Sequence, residues 1–409
     1  MSIKYYIGAL FVGLFTYSDC YSQDLATIKH DAEYRNDSWS QNKLGLLYEN
    51  GDGVEKNPKL AFSWFEKAAN NGYMYAFYNL GRHYQHGLSV AVDKSKALYW
   101  YEKAAAAHHA HSCLLLGKWY LNGINVVKNE YKAAAYFKDA AFCGNAEGKY
   151  YLSSCYAHGY GVKQDSIRAL LWIDRAIEDK YYRSYLLKGL MYQDGLSVNR
   201  NEKLAFSYYL TGDTYNDSSC QNSLAICYLQ GKGVEPDTIK AIEYFEKSAN
   251  NGDMYAQRNL AFQYLYGEGV EQDIHKAIHW FEKSAEQNDE TSYRYLISAY
   301  SYLNDKQSMY DYAQKGYNLN YKDCMNALAY CYAKGDGCKK DYSKALSIID
   351  KAISLYPDDP NLYDSKGEIL WLKGSKKAAK EQWEKVNKVN PHFYEKNDSE
   401  LNKLIKGIQ

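Results

Sequence analysis

Residues 48–73 read YENGDGVEKNPKLAFSWFEKAANNGY, and residues 228–253 read YLQGKGVEPDTIKAIEYFEKSANNGD. The two stretches begin 180 residues apart, which is five steps of 36 residues. Seven loop glycines follow one another at this step, and a tyrosine stands three residues before each of them. Seven copies in phase, without insertion or deletion, predict a repeat array. The glycines are Gly51, Gly87, Gly123, Gly159, Gly195, Gly231 and Gly267.

Each copy contains two helical patterns separated by a turn. In the first helix Leu44, Leu47 and Tyr48 recur at helical spacing, and Gly45 lies on the same face. A glycine inside a helix lowers its stability, so we expect it to allow close approach of another helix. Small residues of the two helices would then meet across the hairpin.

The turn and the second helix carry local signals of their own. Gly51 suits a left-handed helix C-cap, and Asn57 opens the second helix as an N-cap, with Pro58 at the first helical position. The second helix then buries Ala61 and an aromatic pair, which is Trp64 and Phe65 in the first copy. The pattern therefore predicts an all-α protein of about ten helical hairpins.

The array loses its phase after Gly267, since the 68 residues to Gly335 make one copy of 36 and one of 32. The short copy lacks the glycine turn and has Leu303-Asn304-Asp305 in its place. We divide the chain into these segments: 1–22 signal peptide; 23–37 N-terminal lead-in; 38–289 seven regular repeats; 290–321 degenerate repeat; 322–357 one further repeat; 358–395 a different last repeat; 396–409 polar tail.

Composition narrows the function classes. Forty-nine Lys and Arg balance 49 Asp and Glu, and no basic run is interleaved with aromatics, so nucleic acid is not an expected partner. Tyrosine is abundant, at 45 of 409 residues, and it suits thin cores and partner surfaces because its ring is apolar and its tip polar.

The pattern of the N-terminal residues predicts an export signal. A single Lys4 precedes an apolar run from about Tyr5 to Tyr17, and cleavage is expected after Ser22. The alternatives are a retained N-terminal anchor and a lipid anchor through Cys20, which Asp19 before it disfavours. We expect no spanning helix in the mature chain. The predicted location is the periplasm, the cell envelope or the exterior.

Eight cysteines remain after Cys20, and an even count in an exported chain invites disulfides. Most of the spacings argue for buried thiols instead, because cysteines seven apart on a helix lie about 10 Å apart. Cys113 and Cys143 map to the same end of one hairpin and are the one pair that we regard as a disulfide candidate.

The repeat resembles the Sel-one-like family, a relative of the tetratricopeptide repeat. The resemblance rests on a small residue in the first helix, the tyrosine, G-x-GV, an Asp or Asn, KA, the aromatic pair, KAA and a final glycine, and it covers roughly Ser38–Pro357. The last unit is similar to a tetratricopeptide repeat proper, although Lys366 stands where that motif has leucine. Its matching residues are Tyr363, Gly367, Leu370, Ala379, Trp383 and Pro391.

The resemblance implies a right-handed α-solenoid that acts as an adaptor or scaffold and binds a protein or peptide on its concave face. The alternative for the apolar groove positions is packing against neighbouring first helices. The resemblance implies no cofactor, and the oligomeric state stays open. The groove positions carried over from the tetratricopeptide repeat are Tyr78, Arg82, Lys118, Tyr150, Leu190, Ile226, Arg258 and Phe262.

Two other classes of function stay open: an enzyme acting on cell-wall material, a chemistry linked to some exported relatives of the family, and a structural or chaperone-like array. The sequence offers no familiar catalytic constellation. The glycine pairs are flanked by helices, and Ser89, Asn125 and Ser197 replace the second glycine, so these loops are turns and not phosphate loops.

The run AAAAHHAH, residues 104–111, raises the question of a metal site through His108, His109 and His111. No carboxylate or thiolate stands at an evident ligand spacing, and His83 and His86 belong to the opposite end of the hairpin. We therefore predict an exposed loop here and no metal.

Overall fold

The turn glycine and the cap residue determine where the helices of each repeat end and begin. Gly51 has φ of 88°, and the N–H groups of Gly51 and Asp52 both donate to the carbonyl oxygen of Leu47, at 2.9 and 3.1 Å. The side chain of Asn57 then accepts from the N–H of Leu60 at 3.0 Å. The turn and cap expected from the sequence are confirmed, and they recur along the chain.

The computed structural model describes residues 25–196 and 198–390, and the secondary structure of these residues is entirely helical. The predicted signal peptide, 1–22, and the whole of the predicted tail, 396–409, lie outside these residues. The chain divides into two units, Met1–Asn201 and Glu202–Gln409, and within each unit successive helices pack against each other. The prediction of an all-α fold built from adjacent helix pairs is confirmed.

Unit 1 has one leading helix, four hairpins and a tenth helix. These are α1 (Leu25–Tyr34), α2 (Ser38–Asn50), α3 (Pro58–Asn70), α4 (Met74–His86), α5 (Lys94–Ala106), α6 (Ala110–Asn122), α7 (Glu130–Phe142), α8 (Ala146–His158), α9 (Ser166–Glu178) and α10 (Ser184–Asp194).

Unit 2 begins with one helix and continues with five hairpins. These are α11 (Glu202–Thr214), α12 (Ser218–Gln230), α13 (Thr238–Asn250), α14 (Met254–Tyr266), α15 (Ile274–Glu286), α16 (Glu290–Tyr302), α17 (Lys306–Asn318), α18 (Lys322–Lys334), α19 (Tyr342–Leu355), α20 (Pro360–Leu372) and α21 (Lys376–Val389).

The glycine of the first helix faces an aromatic ring of the second helix. A methyl group placed on Gly45 would lie 2.6 Å from Cε1 of Phe65, and one on Gly117 would lie 2.5 Å from Cε1 of Phe137. Both rings are fully buried. The expected close approach is present, but the expectation that small residues meet there was wrong, because the ring of the second helix fills the space that the missing Cβ leaves.

The lead-in segment contains α1, which the sequence analysis did not assign as a helix. Ile28 and Ala32 of α1 are buried and pack with Leu44 and Trp64 of the first hairpin. A terminal hairpin of a repeat array has no preceding neighbour, so its inner side needs such a cover.

Candidate functional site

The eight residues carried over from the resemblance all lie on the helix that comes first in its 36-residue repeat. Those of unit 1 are on α4, α6, α8 and α10, and those of unit 2 are on α12 and α14. We call the row formed in each unit by these helices, together with α2, α16, α18 and α20, the first-helix face. All eight side chains are half-buried: Tyr78, Arg82, Lys118, Tyr150, Leu190, Ile226, Arg258 and Phe262.

An ion pair joins the first helices of the first two hairpins. Nη2 of Arg82 on α4 donates to Oε1 of Glu49 on α2 at 3.1 Å, and Nη1 donates to Oε2 at 3.4 Å. Beneath the pair, the side-chain amide of Asn79 donates to Oδ1 of Asn42 at 2.9 Å in a buried contact. The guanidinium group is therefore held in one orientation by the neighbouring helix.

An ion pair also joins α6 and α8, and here the cation is on the earlier helix. Nζ of Lys118 donates to Oε1 of Glu147 at 2.7 Å and lies 5.3 Å from the ring centroid of Tyr151. Tyr150 packs beside it, with ring centroids 5.3 Å from Tyr151 and 5.4 Å from Tyr181. Lys118 therefore contacts the first helix of the following hairpin, and the ring of Tyr150 contacts the connection between α9 and α10.

In unit 2 the ion pair involves a capping residue. Nη1 of Arg258 on α14 donates to Oδ1 of Asp289 at 2.9 Å. Asp289 is buried, and its other oxygen accepts from the N–H and the hydroxyl of Ser292 at 3.0 and 2.7 Å, which caps α16. One carboxylate therefore holds both the helix start and the guanidinium.

Two of the apolar members are packed into neighbouring helices. The ring of Phe262 lies edge-on to Phe281 at 5.2 Å and to Tyr295 at 4.7 Å between centroids. Ile226 packs on a buried cluster that contains Phe245 and Leu260. These contacts give both side chains the packing role that the sequence analysis kept as an alternative.

Tyr78 shows a similar mixture of packing and exposure. Its ring lies 5.7 Å from Tyr101 and 4.9 Å from His109 between centroids. Burial raises the pKa of Tyr78, and the charge of Arg82 opposes that rise. The phenol is therefore neutral at physiological pH and can donate a hydrogen bond from its hydroxyl.

One residue of the histidine run, His109, caps the N-terminus of α6. Nδ1 of His109 accepts from the N–H of Ser112 at 3.3 Å and lies 2.8 Å from its hydroxyl, so His109 is the N-cap. Burial, with a smaller contribution from His111, lowers the pKa of His109 to about 4. His109 is buried and His111 lies within α6, so the expectation of an exposed loop was wrong for both and holds for His108 alone of the three histidines. Within residues 25–196 and 198–390, no three or more His, Cys, Asp or Glu side chains are grouped so as to hold a metal ion.

All eight cysteines of the described part of the chain are free thiols, including Cys113 and Cys143. The disulfide that we considered between these two is therefore absent from the structure. Burial is the main cause of a raised pKa for Cys113, to about 12, and it also raises the pKa of Cys143. Buried thiols with a raised pKa are poor nucleophiles.

Two cavities that the sequence pattern did not indicate flank α16 in unit 2. Three tyrosines, Tyr266, Tyr295 and Tyr302, line one cavity of 610 Å³, and Lys334 lines the other, of 420 Å³. The absent glycine turn after α16 was the available sequence signal.

No helix of the described residues is long and apolar enough to cross a membrane.

The repeats of this chain match a known protein family. The family model described as Sel1 repeat matches eight segments, which are residues 40–73, 75–109, 110–145, 146–181, 189–211, 218–253, 255–289 and 322–356. A search of curated proteins finds no match. The model leaves residues 290–321, the short repeat, outside its matched segments.

Two solved structures illustrate the likeness. A Sel1 repeat protein from Oxalobacter formigenes is 31% identical, with a TM-score of 0.54, over 66% of this chain and 79% of that chain. A protective antigen present in uropathogenic Escherichia coli strains, displaying an SLR fold, is 27% identical over 89% of this chain and 87% of that chain, with a TM-score of 0.49. The family model alone covers more than half of the residues, and the chain therefore belongs to the Sel1 repeat family.

Proposed function

We propose that this chain is an exported scaffold that binds a segment of another protein on its first-helix face. Sel1 repeats generally serve as protein–protein interaction scaffolds. No single repeat needs a deep cavity for this role, because a partner segment can contact several hairpins in succession. Export rests on the signal-like residues 1–22 of the sequence.

The observation that carries the proposal is the orientation of cations on this face by neighbouring helices. Arg82 and Arg258 are each held by a carboxylate of an adjacent hairpin, and the guanidinium of Arg258 lies 5.3 Å from the ring centroid of Tyr255. A guanidinium has five N–H donors, so one that is held by a carboxylate still has donors for a partner. Because these side chains are already ordered, binding loses less conformational entropy.

A charge exchange tests this face without removing its internal ion pair. The double variant Glu49→Arg/Arg82→Glu keeps opposite charges on α2 and α4 but exchanges their positions. We expect unchanged helicity and at least a tenfold loss of the partner captured from the native host, since an arginine anchor is among the residues that dominate interfaces. Lys138→Glu on α7, an exposed second-helix lysine, is the matched control. Full capture by the exchanged variant would reject this face in unit 1.

Export is tested separately. The mature protein recovered from the extracytoplasmic fraction is expected to begin at residue 23, as measured by intact mass and N-terminal peptide sequencing. Recovery with Met1 still present would reject signal cleavage.

The proposal assigns no chemical reaction to the chain itself, in keeping with the typically non-enzymatic role of the family. Purified protein is expected to leave muropeptides and a chromogenic β-lactam unchanged over hours. Turnover that persists through repurification would replace the scaffold with the cell-wall enzyme.

A further inference from the structure

The connection between α16 and α17 lacks part of the loop that regular repeats have. In the preceding repeat the N–H of Asp273 donates to the carbonyl oxygen of Tyr264 at 2.9 Å, nine positions back. After α16 the same closing bond joins Asp305 to Tyr300 at 2.9 Å, five positions back. Four residues are therefore missing while the closing bond is kept, and the end of α16 lacks the glycine loop that its neighbours carry.

Two cavities flank this end of α16. The tyrosine cavity, of 610 Å³, lies between α14 and α16, and the lysine cavity, of 420 Å³, lies between α16 and α18. Ser298 of α16 lines both of them. We call the two cavities together the α16 trough, and α16 lies between them.

The tyrosine cavity suits an apolar side chain. Tyr266, Tyr295 and Tyr302 line it together with Leu265 and Ile274, and none of its lining residues is charged. Tyr302 is 81% exposed and Tyr266 is 58% exposed. Exposed aromatic surface beside a cavity of this size is typical of a binding site, because covering it removes apolar area from water.

The lysine cavity suits a carboxylate. Lys306 pairs with Asp336 at 2.7 Å, which neutralises both charges. Lys334 lies 5.3 Å over the ring of Tyr330 and has no carboxylate within 4.0 Å among the residues that the structure describes. One positive charge is therefore left at this cavity, and it attracts an acidic group.

The spacing between the two cavities sets the spacing of the side chains that fill them. They lie on either side of Ser298 on one helix, which is about 10 Å across with its side chains. An extended chain advances about 3.3–3.6 Å per residue, so about three residues cross α16.

We propose that the α16 trough binds an extended peptide segment whose apolar and acidic side chains stand about three positions apart. The apolar side chain enters the tyrosine cavity, and the carboxylate contacts Lys334. This site rests on the proposed function as a scaffold and names the partner chemistry at one place of unit 2.

A displayed library of random dodecapeptides, selected on the immobilised full chain at low salt, tests the proposal. We expect enrichment of Leu, Phe or Tyr three positions from Asp or Glu. On Lys334→Glu we expect the preferred acid to be replaced by Lys or Arg. The best selected peptide, fluorescein-labelled, is expected to lose about threefold to fivefold in affinity on Lys334→Glu, and its acid-to-Lys form to gain as much, as for an exposed ion pair.

A variant in which the missing loop is restored is the second test of the proposal. Replacing Leu303-Asn304 by GEGVEQ, the residues 267–272 of the preceding repeat, restores the 36-residue period. We expect this loop to fill the trough and abolish the enrichment while the circular dichroism spectrum and thermal midpoint are kept. Lys138→Glu on α7 is the matched charge control and should select the original motif.

Absence of any consensus would overturn the proposal, and so would a consensus that survives both Lys334→Glu and the restored loop. These failures are distinct from failure of the scaffold. If the peptide selection gives no trough-dependent consensus but the Glu49→Arg/Arg82→Glu exchange abolishes partner capture, the proposed scaffold function stands.

Discussion

Arg82 on α4 binds Glu49 on α2 through both of its terminal nitrogens, at 3.1 and 3.4 Å, across 33 positions of sequence. The pair is only partly exposed to water, with the Glu49 side chain 13% exposed and that of Arg82 32% exposed. Nε2 of His83, which is fully buried, lies 3.7 Å from the same carboxylate and has no hydrogen-bond partner among the described residues. Removing Arg82 would therefore affect more than a surface charge.

Arg82→Ala should lower the free energy of unfolding of the first hairpins by about 1–3 kcal/mol, because a half-buried Glu49 loses its charged hydrogen bonds. Urea unfolding followed by circular dichroism measures the loss. Arg82→Lys keeps the charge but not the two-pronged geometry, so it should lose less. Equal losses for the two variants would contradict the proposed role of the bidentate contact.

Gly45→Ala should destabilise the protein by about 1–3 kcal/mol through overpacking, although alanine is the better helix former. The added methyl would lie 2.6 Å from the fully buried ring of Phe65. Thermal and urea unfolding measure the change. The double variant Gly45→Ala/Phe65→Leu should recover part of the loss, and no recovery would mean that ring contact is not the cause.

The protein should lose stability as the pH falls from about 6.5 toward about 4, because the folded pKa of His109 is lowered to about 4 by burial and by His111. The unfolded chain takes up a proton at the ordinary pKa of 6.5, whereas the folded chain keeps His109 neutral until lower pH. The contribution of His109 to the free energy of unfolding is therefore complete above pH 6.5 and declines below that pH.

Urea midpoints measured at pH 7.5 and 5.0 test this dependence. His109→Asn keeps a good N-cap without a titrating ring, so its midpoint should fall less between the two values. An equal fall in the variant and the parent would assign the effect to other groups.

Thiol reactivity should follow burial. Cys220 and Cys113 are fully buried, and burial raises the pKa of each thiol, whereas Cys143 and Cys338 are half-buried. Iodoacetamide under native conditions should label Cys143 and Cys338 before Cys113 and Cys220, as measured by peptide mass spectrometry.

Peptide mapping without reductant should find Cys113 and Cys143 on separate peptides, and a disulfide-linked peptide would contradict the structure.

Local features of the repeat were predictable because neighbouring residues determine them. The left-handed φ at Gly51 and the cap at Asn57 depend on a glycine without a Cβ and on a short polar side chain three residues before its partner N–H. The 36-residue period then fixed the order of the helices. The helix α1 lacks that period, so the pattern did not reveal it.

Contacts between repeats were not predictable to the same degree. Small size at Gly45 indicated a close approach, but which group of the second helix fills the space depends on the packing of Phe65. The carried-over position of Arg82 did not reveal Glu49 as its partner, since both stand in variable surface registers. The missing loop after Tyr302 was visible as a 32-residue step, whereas the cavities beside it depend on the neighbouring helices.

The central claim is that a protein partner lies on the first-helix face, and lysine crosslinking with mass spectrometry in the native host tests it most directly. We predict that one recurrent partner is linked to lysines of this face, such as Lys118 on α6, and at least about tenfold less to Lys138 on α7, because a crosslinker reaches only neighbouring groups and interface contacts are local. Links confined to second-helix lysines, or no partner above an untreated control, would contradict the account.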